Sequence, residues 1–461
     1  MSDNISVRPV TRLIDGARFG GLHTTVVVLA TVVILLAGVD NISIGIIGTA
    51  MAATIHTTVP SMAGVYSAGE VGFLAGALIF GPVADRVGRK PILIATVVLF
   101  AVFTLLTPLG TTVGAIIVFR LVTGIGLGGA IPVALSLVTE YMPARIRSGL
   151  TSVAWAGFPA GGVVVGIAAG IVLPHGGWEL LYVMIGSASL AVAVLLVALM
   201  PESLDFMLRS GAPERRVDRV VRRLRRGSDV PVTTDTLLTV EANPALVEFP
   251  ETVQSKATVR YLFTERRALR TVLLWCAFGC TFVPVVFVGD WGPALLQASG
   301  LGIGLVGLSI TCNSIGSMIG SAIIGRLMSA LGDYKVLLGA LGCACVAFIV
   351  FGLSLGSFAG IAVAITAVGF FSGGAQSGVI TFAALLYPNS LRATGLGWAV
   401  SAGRAVAATA PLLGAATIGA GWPPAASIAL IGGFPLVGLV VVLLIRGLVA
   451  ARAERIALQS A

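Results

Sequence analysis

Charge is scarce in this sequence. Only 11% of its 461 residues are Asp, Glu, Lys or Arg, against about 25% in an ordinary soluble domain, which is too little to cover a water-exposed globular surface. Metal ligands are equally sparse, with three histidines and five cysteines. Cys276, Cys280, Cys312, Cys343 and Cys345 all fall inside apolar runs, where cysteine behaves as a small hydrophobe. Cys276 and Cys280 share a helix face by spacing, but two thiols without further ligands do not close a zinc shell. No metal site, disulfide framework or cofactor is expected. Gly124, Gly126 and Gly129 satisfy G-x-G-x-x-G, yet they sit in an apolar run and not between a strand and a helix, which excludes a dinucleotide fold.

Apolar sequence is abundant: 57% of the residues are hydrophobic and the mean hydropathy is +1.01. Runs of ~20 apolar residues, enough to cross a hydrocarbon core of ~30 Å, recur along the chain. They begin near residues 24, 61, 91, 114, 150, 179, 271, 303, 335, 359, 394 and 424. The implied fold class is an all-α membrane protein with twelve transmembrane helices. The first run, roughly residues 24–50, is too long for the 7–15-residue core of a signal peptide, so it reads as an uncleaved span. Neither glycosylation sequon, at Asn4 or Asn41, is expected to be modified, the first being assigned to the cytoplasm and the second to a span.

The net charge is +9, but the basic residues are distributed in a way that excludes nucleic acid as the partner. Arg86, Arg89 and Lys90 follow the second run, Arg145 and Arg147 the fourth, a basic stretch the sixth, Lys335 the eighth and Arg392 the tenth. The intervening connections, near His56, Thr111, His175, Ser299, Ser357 and Trp422, carry none. Basic loops mark the cytoplasmic side, so a multi-pass protein of the cell (inner) membrane is expected, with both termini cytoplasmic.

The longest polar stretch divides the chain into residues 1–200, a linker at 201–270 and residues 271–461, each flanking part holding six spans. Within the linker, apolar Val217, Val220, Val221 and Leu224 are spaced as one helix face among arginines. Such a helix fits an anionic leaflet and equally fits a solvated connection. The two halves also echo each other. Gly81, Asp85 and Gly88 are matched by Gly325, Ser329 and Gly332, and the corner from Tyr141 to Arg147 by that from Tyr387 to Arg392. Parallel repeats of this kind place a binding site between the halves near the bilayer midplane.

The segment Gly81, Pro82, Val83, Ala84, Asp85, Arg86, Val87, Gly88, Arg89, Lys90 resembles the signature loop of the major facilitator superfamily. The resemblance implies a secondary transporter in which Asp85 and Arg86 help lock the cytoplasmic side when the carrier faces outward. Over nearly the whole chain the sequence is similar to the aromatic acid:proton symporter branch, through Gly373–Gly378 (GGAQSG), Tyr387–Ala399 (YPNSLRATGLGWA), Arg120–Gly129 (RLVTGIGLGG), Pro201–Ser203 (PES) and Asp290–Trp291. The first span departs from that branch: Ala37, Gly38, Val39, Asp40 stands where D-G-x-D is usual, leaving Asp40 to act alone or with Glu70 compensating. Pro159, Ala160, Gly161 and Gly162 form only a partial antiporter motif, which disfavours drug:proton exchange.

A charge at the bilayer centre costs ~2.5–3.5 kcal/mol on insertion scales, so buried ionisable residues are functional candidates. Asp40, Glu70 and Arg120 are expected in one layer of the first half, with Asp290 and Arg404 in the second, and the resemblance assigns their helices to a central cavity wall. Asp40, Glu70 and Asp290 are the candidates for proton coupling. Arg120 or Arg404 would hold a substrate carboxylate, since a guanidinium presents a fork that matches it. Gln376, Asn313 and Trp155 are candidate substrate contacts. The competing expectation is that Arg120 pairs with Asp40 or Glu70, and Arg404 with Asp290, as permanent struts. The expected activity is proton-coupled import of an aromatic or related organic acid by a monomer. Efflux or exchange is the alternative; a non-transporting membrane sensor would need an attached signalling domain or a long tail. No Ser, His and Asp set and no H-E-x-x-H motif suggests an enzyme.

Overall fold

The computed structural model describes residues 9–225, 262–263, 268–387 and 392–460; most of the linker, 226–261, lies outside them. The described residues are helical apart from short turns. A short α1 (Pro9–Gly16) precedes α2 (Gly21–Thr54), α3 (Ala63–Val87), α4 (Arg89–Leu106), α5 (Val113–Tyr141) and α6 (Ala144–Leu199). Two linker helices follow, α7 (Leu204–Arg209) and α8 (Glu214–Arg225). The second half contains α9 (Ala268–Ala298), α10 (Ile303–Leu331), α11 (Asp333–Leu353), α12 (Phe358–Leu386), α13 (Arg392–Ala407), α14 (Ala410–Gly419) and α15 (Pro424–Ser460).

Among the described residues, eleven helical segments are long and apolar enough to cross a membrane, and one of them is two spans. At 56 residues, α6 would run to about 84 Å, nearly three times the hydrocarbon thickness. It breaks at Gly177, whose φ of 69° and ψ of −177° lie in a region essentially reserved for glycine. The break folds α6 into a hairpin. Its two ends meet, because the Tyr141 hydroxyl just before the first arm donates to the carbonyl of Glu202 just beyond the second. The spans therefore number twelve, as the apolar runs imply, with α13 and α14 sharing one.

Lipid gives helices no hydrophobic drive to associate, so close backbone approach at small residues holds them together. A Cβ added at Gly72 or Gly76 of α3 would meet main-chain oxygens of α5 at 2.1 and 2.0 Å. Their counterparts 244 residues on, Gly316 and Gly320 of α10, meet main-chain oxygens of α12 at 2.2 and 2.0 Å. Gly88 and Gly332, separated by the same offset, both adopt positive φ, 110° and 95°, at the break before α4 and α11. The internal repeat read from the sequence is thus a repeat of packing and of turn geometry.

The apolar cores divide unequally along the membrane normal. At the end carrying Arg89, Lys90, Arg145 and Arg147, here called the basic end, each half has its own core: one around Leu93, Leu137 and Leu196, the other around Leu274, Leu337 and Val379. At the far end one core draws on both halves, including Ile46, Ile47, Tyr66, Trp178, Phe287, Trp291 and Ile310. Main chains meet there as well. A Cβ on Gly45 would lie 1.9 Å from the Gly289 carbonyl oxygen, and one on Gly166 would lie 2.5 Å from that of Gly307. Thr49 adds a hydrogen bond to Gln297 at 2.8 Å. The halves are sealed together at the far end and keep separate cores at the basic end.

The amphipathic linker helix turns its apolar face to protein. Val217, Val221 and Leu224 of α8 are buried in the same core as Leu13 of α1 and Met207 and Leu208 of α7, so protein and not lipid covers that apolar face. The hairpin in α6 yields a first test. Replacing Gly177 with Ala should cost about 1–3 kcal/mol, the strain of a side chain at this backbone conformation, and should appear as a lower unfolding temperature of the detergent-purified protein.

Candidate functional site

The five ionisable residues separate into two groups. Asp40 on α2 is fully buried. One of its carboxylate oxygens accepts from the Arg120 guanidinium at 2.9 Å, and the other accepts from the Thr104 hydroxyl. Arg120 also donates to the Thr107 hydroxyl at 3.1 Å and lies 4.8 Å from the centre of the Tyr182 ring. These partners come from α4, the turn after it, α5 and the second arm of α6, so the whole group lies inside the first half.

The second group lies between the halves. Arg404 on α13 reaches across to Glu70 on α3 at 3.4 Å, and is thus paired with Glu70 where the sequence suggested Asp290. Its guanidinium carbon sits 3.7 Å from the centre of the Phe73 ring and 5.5 Å from that of Phe282. The other Glu70 oxygen meets the Asn41 amide at 3.5 Å. A single contact of 3.4 Å leaves most of the five guanidinium N–H donors uncommitted to Glu70. Asp290 on α9 is 7% exposed, one of its oxygens has no hydrogen-bonding partner, and Glu70 is within electrostatic reach. The neighbouring Trp291 is locked: its indole N–H donates to the Pro411 carbonyl at 3.0 Å, and its ring meets Tyr66 edge-on at 5.2 Å.

The remaining candidates are scattered. Asn313 on α10 packs against Gly369, where a Cβ would lie 2.9 Å from its side-chain oxygen. Gln376 on α12 is half-buried. Trp155 in the first arm of α6 is 36% exposed and stacks on Phe158, with ring centres 6.1 Å apart. Phe73, Phe282 and Asn41 were not singled out by sequence reasoning. Phe73 had a legible signal, since it stands three residues after Glu70 and therefore on the same helix face.

The segment from Gly81 to Lys90 is held by three acids. Arg89 pairs with Glu140 and, at 3.4 Å, with Asp85. Glu202 caps α4, one of its carboxylate oxygens accepting the backbone N–H groups of Arg89 at 2.9 Å and Lys90 at 3.1 Å. An anion at a helix N-terminus satisfies otherwise unpaired donors and the helix dipole. The Lys90 ammonium donates to the Val197 carbonyl at 2.8 Å. The Asp85 side chain itself is 68% exposed and Arg86 is exposed. Across the repeat, Tyr387 is buried against Gly395, while the side chain of Arg392, at the start of α13, lies outside the described residues.

Residues 29–305 match the family model described as Major Facilitator Superfamily, which is more than half of the chain. The chain belongs to that superfamily. This makes it a membrane transporter and not an enzyme. Among curated relatives, the gallate transporter of Pseudomonas putida is 31% identical over 410 residues, covering 88% of each chain. The 4-hydroxybenzoate transporter PcaK of Pseudomonas aeruginosa is 30% identical over 402 residues, covering 86% of each. Among solved structures, the partially occluded inward open conformation of the xylose transporter XylE from E. coli aligns with a TM-score of 0.68 at 16% identity, covering 91% of this chain and 97% of that one; at that identity it supports the fold alone.

For this superfamily member the two ionic groups should respond differently to substitution. Replacing Asp40 with Ala strands Arg120 in a dry bundle, where breaking a buried pair costs about 3–5 kcal/mol, and thermal unfolding in detergent should register the loss. Replacing Glu70 with Gln keeps the side chain's volume and most of its hydrogen bonding, so its effect on the same measurement should be clearly smaller.

Proposed function

We propose that the protein carries an aromatic carboxylate across the cell membrane together with protons, and that Arg404 receives the carboxylate. The observation that carries this reading is the position of Arg404: between the halves, stacked on Phe73 and held by one contact of 3.4 Å to Glu70. A carboxylate can take a guanidinium fork in two parallel hydrogen bonds, whereas Glu70 uses one. An aromatic ring brought in by that carboxylate finds Phe73 and Phe282 beside the same guanidinium. Both relatives named above are named for substrates that consist of a benzene ring with a carboxylate and one or more hydroxyl groups, which suits this pairing of ring and cation.

Proton coupling follows from the same exchange. When substrate displaces Glu70 from Arg404, Glu70 is left as a carboxylate without its cation in a poorly polar environment, and taking up a proton relieves that cost. Asp290, close by and short of a partner, is the second carboxyl in position to exchange protons. Asp40, already bonded by Arg120 and Thr104, registers α2 against α4 and α5 and moves with the first half as a unit. With the basic end cytoplasmic, the sealed far end faces outward, and the exposed Asp85 and Arg86 belong to a lock that is open in this inward-facing arrangement. The working unit is a single chain, since one chain supplies both halves of the site.

Uptake into proteoliposomes of a panel of aromatic and aliphatic carboxylates, with and without an acid-outside gradient, tests this directly. Aromatic acids should accumulate only with the gradient. Arg404→Lys should lower apparent affinity about 10- to 100-fold, the worth of one charge-assisted hydrogen bond and the lost fork, and full retention of affinity would remove Arg404 from the site. Glu70→Gln should still exchange labelled for unlabelled substrate but no longer respond to the gradient. Gradient-driven accumulation surviving in both Glu70→Gln and Asp290→Asn would refute the coupling.

A further inference from the structure

At the basic end, the stretch leading into α2, the last turn of α6 and the last turn of α8 enclose a cavity of about 630 Å³, away from the site between the halves. Its walls are of two kinds. Phe19 and Leu199 line it while remaining 47% and 51% exposed, and the apolar surface continues along α6, where Val194 is 69% exposed. Arg18 and Arg223 line the same cavity.

His23 also lines it and is only 1% exposed. Its Nδ1 accepts the Gly20 N–H at 3.2 Å. The neutral ring therefore carries its proton on Nε2, and that buried N–H has no partner. Buried donors are costly to leave unpaired. The group that suits two guanidinium-bearing side chains at once is a phosphate, whose oxygens can accept from both, and the unpartnered His23 ring stands in the same wall.

We propose that this cavity holds the phosphodiester headgroup of an anionic phospholipid, with its acyl chains against the exposed aliphatic edge of α6. Depth favours a lipid over a free anion. The cavity lies where α2 begins and α6 ends, the level at which spans leave the hydrocarbon and meet headgroups. A soluble phosphate would need the cations but would gain nothing from the apolar walls. The lipid would bridge α8 to the bundle, so that the linker helix, whose apolar face is covered by protein, contributes its charge to the membrane surface.

The test uses the full-length protein purified in detergent, with native mass spectrometry to count bound lipid and thermal unfolding to follow stabilisation. Added phosphatidylglycerol should be retained and should raise the unfolding temperature, whereas phosphatidylcholine and inorganic phosphate should not. Each arginine is expected to contribute about fivefold in apparent affinity, so Arg18→Gln with Arg223→Gln should weaken retention by roughly twenty-five-fold on the same basis. The double Lys variant should recover most of it, His23→Phe should weaken it, and Arg216→Gln, an exposed change on α8 outside the cavity, should not. Equal retention of phosphatidylcholine, or undiminished retention by the double Gln variant, would overturn the proposal. Equal stabilisation by inorganic phosphate would reassign the cavity to a soluble anion. Should the double Gln variant fail to purify, the comparison of lipids on the unaltered protein decides alone.

Discussion

A guanidinium stays charged in a hydrocarbon layer, and it must find a carboxylate there or destabilise the fold. Two such groups, Arg120 and Arg404, are satisfied in opposite ways. Arg120 is held by Asp40, the Thr107 hydroxyl and the Tyr182 ring, with Thr104 bonding Asp40 in turn, all within one bundle, so its partners travel with it. Arg404 takes its carboxylate from the other bundle, so any relative movement of the halves acts on that pair. The first arrangement makes a rigid body of four helices. The second places an ionic contact at the junction between the halves, where the proposed function has its partner exchanged.

The division of the apolar cores gives that junction its setting. A shared core at the far end and separate cores at the basic end mean that opening the molecule on the far side requires breaking one apolar seam, while neither bundle has to repack internally. Glycine contacts between α3 and α5 and between α10 and α12 bring backbones too close for side chains to rearrange, and this keeps each half stiff. Stiff halves convert a local exchange of ionic partners into a rigid-body rotation.

Much of this was legible in the sequence. Span number and repeat came from local quantities, namely the length of apolar runs and the spacing of Gly, Asp and Tyr at the corners, which a membrane reads nearly one-dimensionally. Even α6, whose two arms meet at Gly177 with no loop between them, was legible as two spans because separate apolar runs begin near residues 150 and 179. The site was only half legible. Asp40, Glu70, Arg120, Asp290 and Arg404 announce themselves by charge, but which carboxylate meets which arginine depends on helix rotation and on crossings between distant segments, and depth along a span does not carry that information. Phe73 and Phe282 are ordinary phenylalanines until a guanidinium is laid on them. Glu202, in a linker region read as a connection, turned out to cap α4; only the fold brings residue 202 beside residue 89.

The far-end seam includes two places where main chains meet directly, Gly45 against Gly289 and Gly166 against Gly307, whereas the surroundings of Arg404 are made of side chains. Where mating surfaces are peptide groups, closure is indifferent to the cargo shut behind it. With Arg404 as the proposed carboxylate receptor, selectivity can drift by point substitutions at Phe73, Phe282 or their neighbours without the closure having to be reinvented each time, so that one inherited seam can serve a succession of different acids.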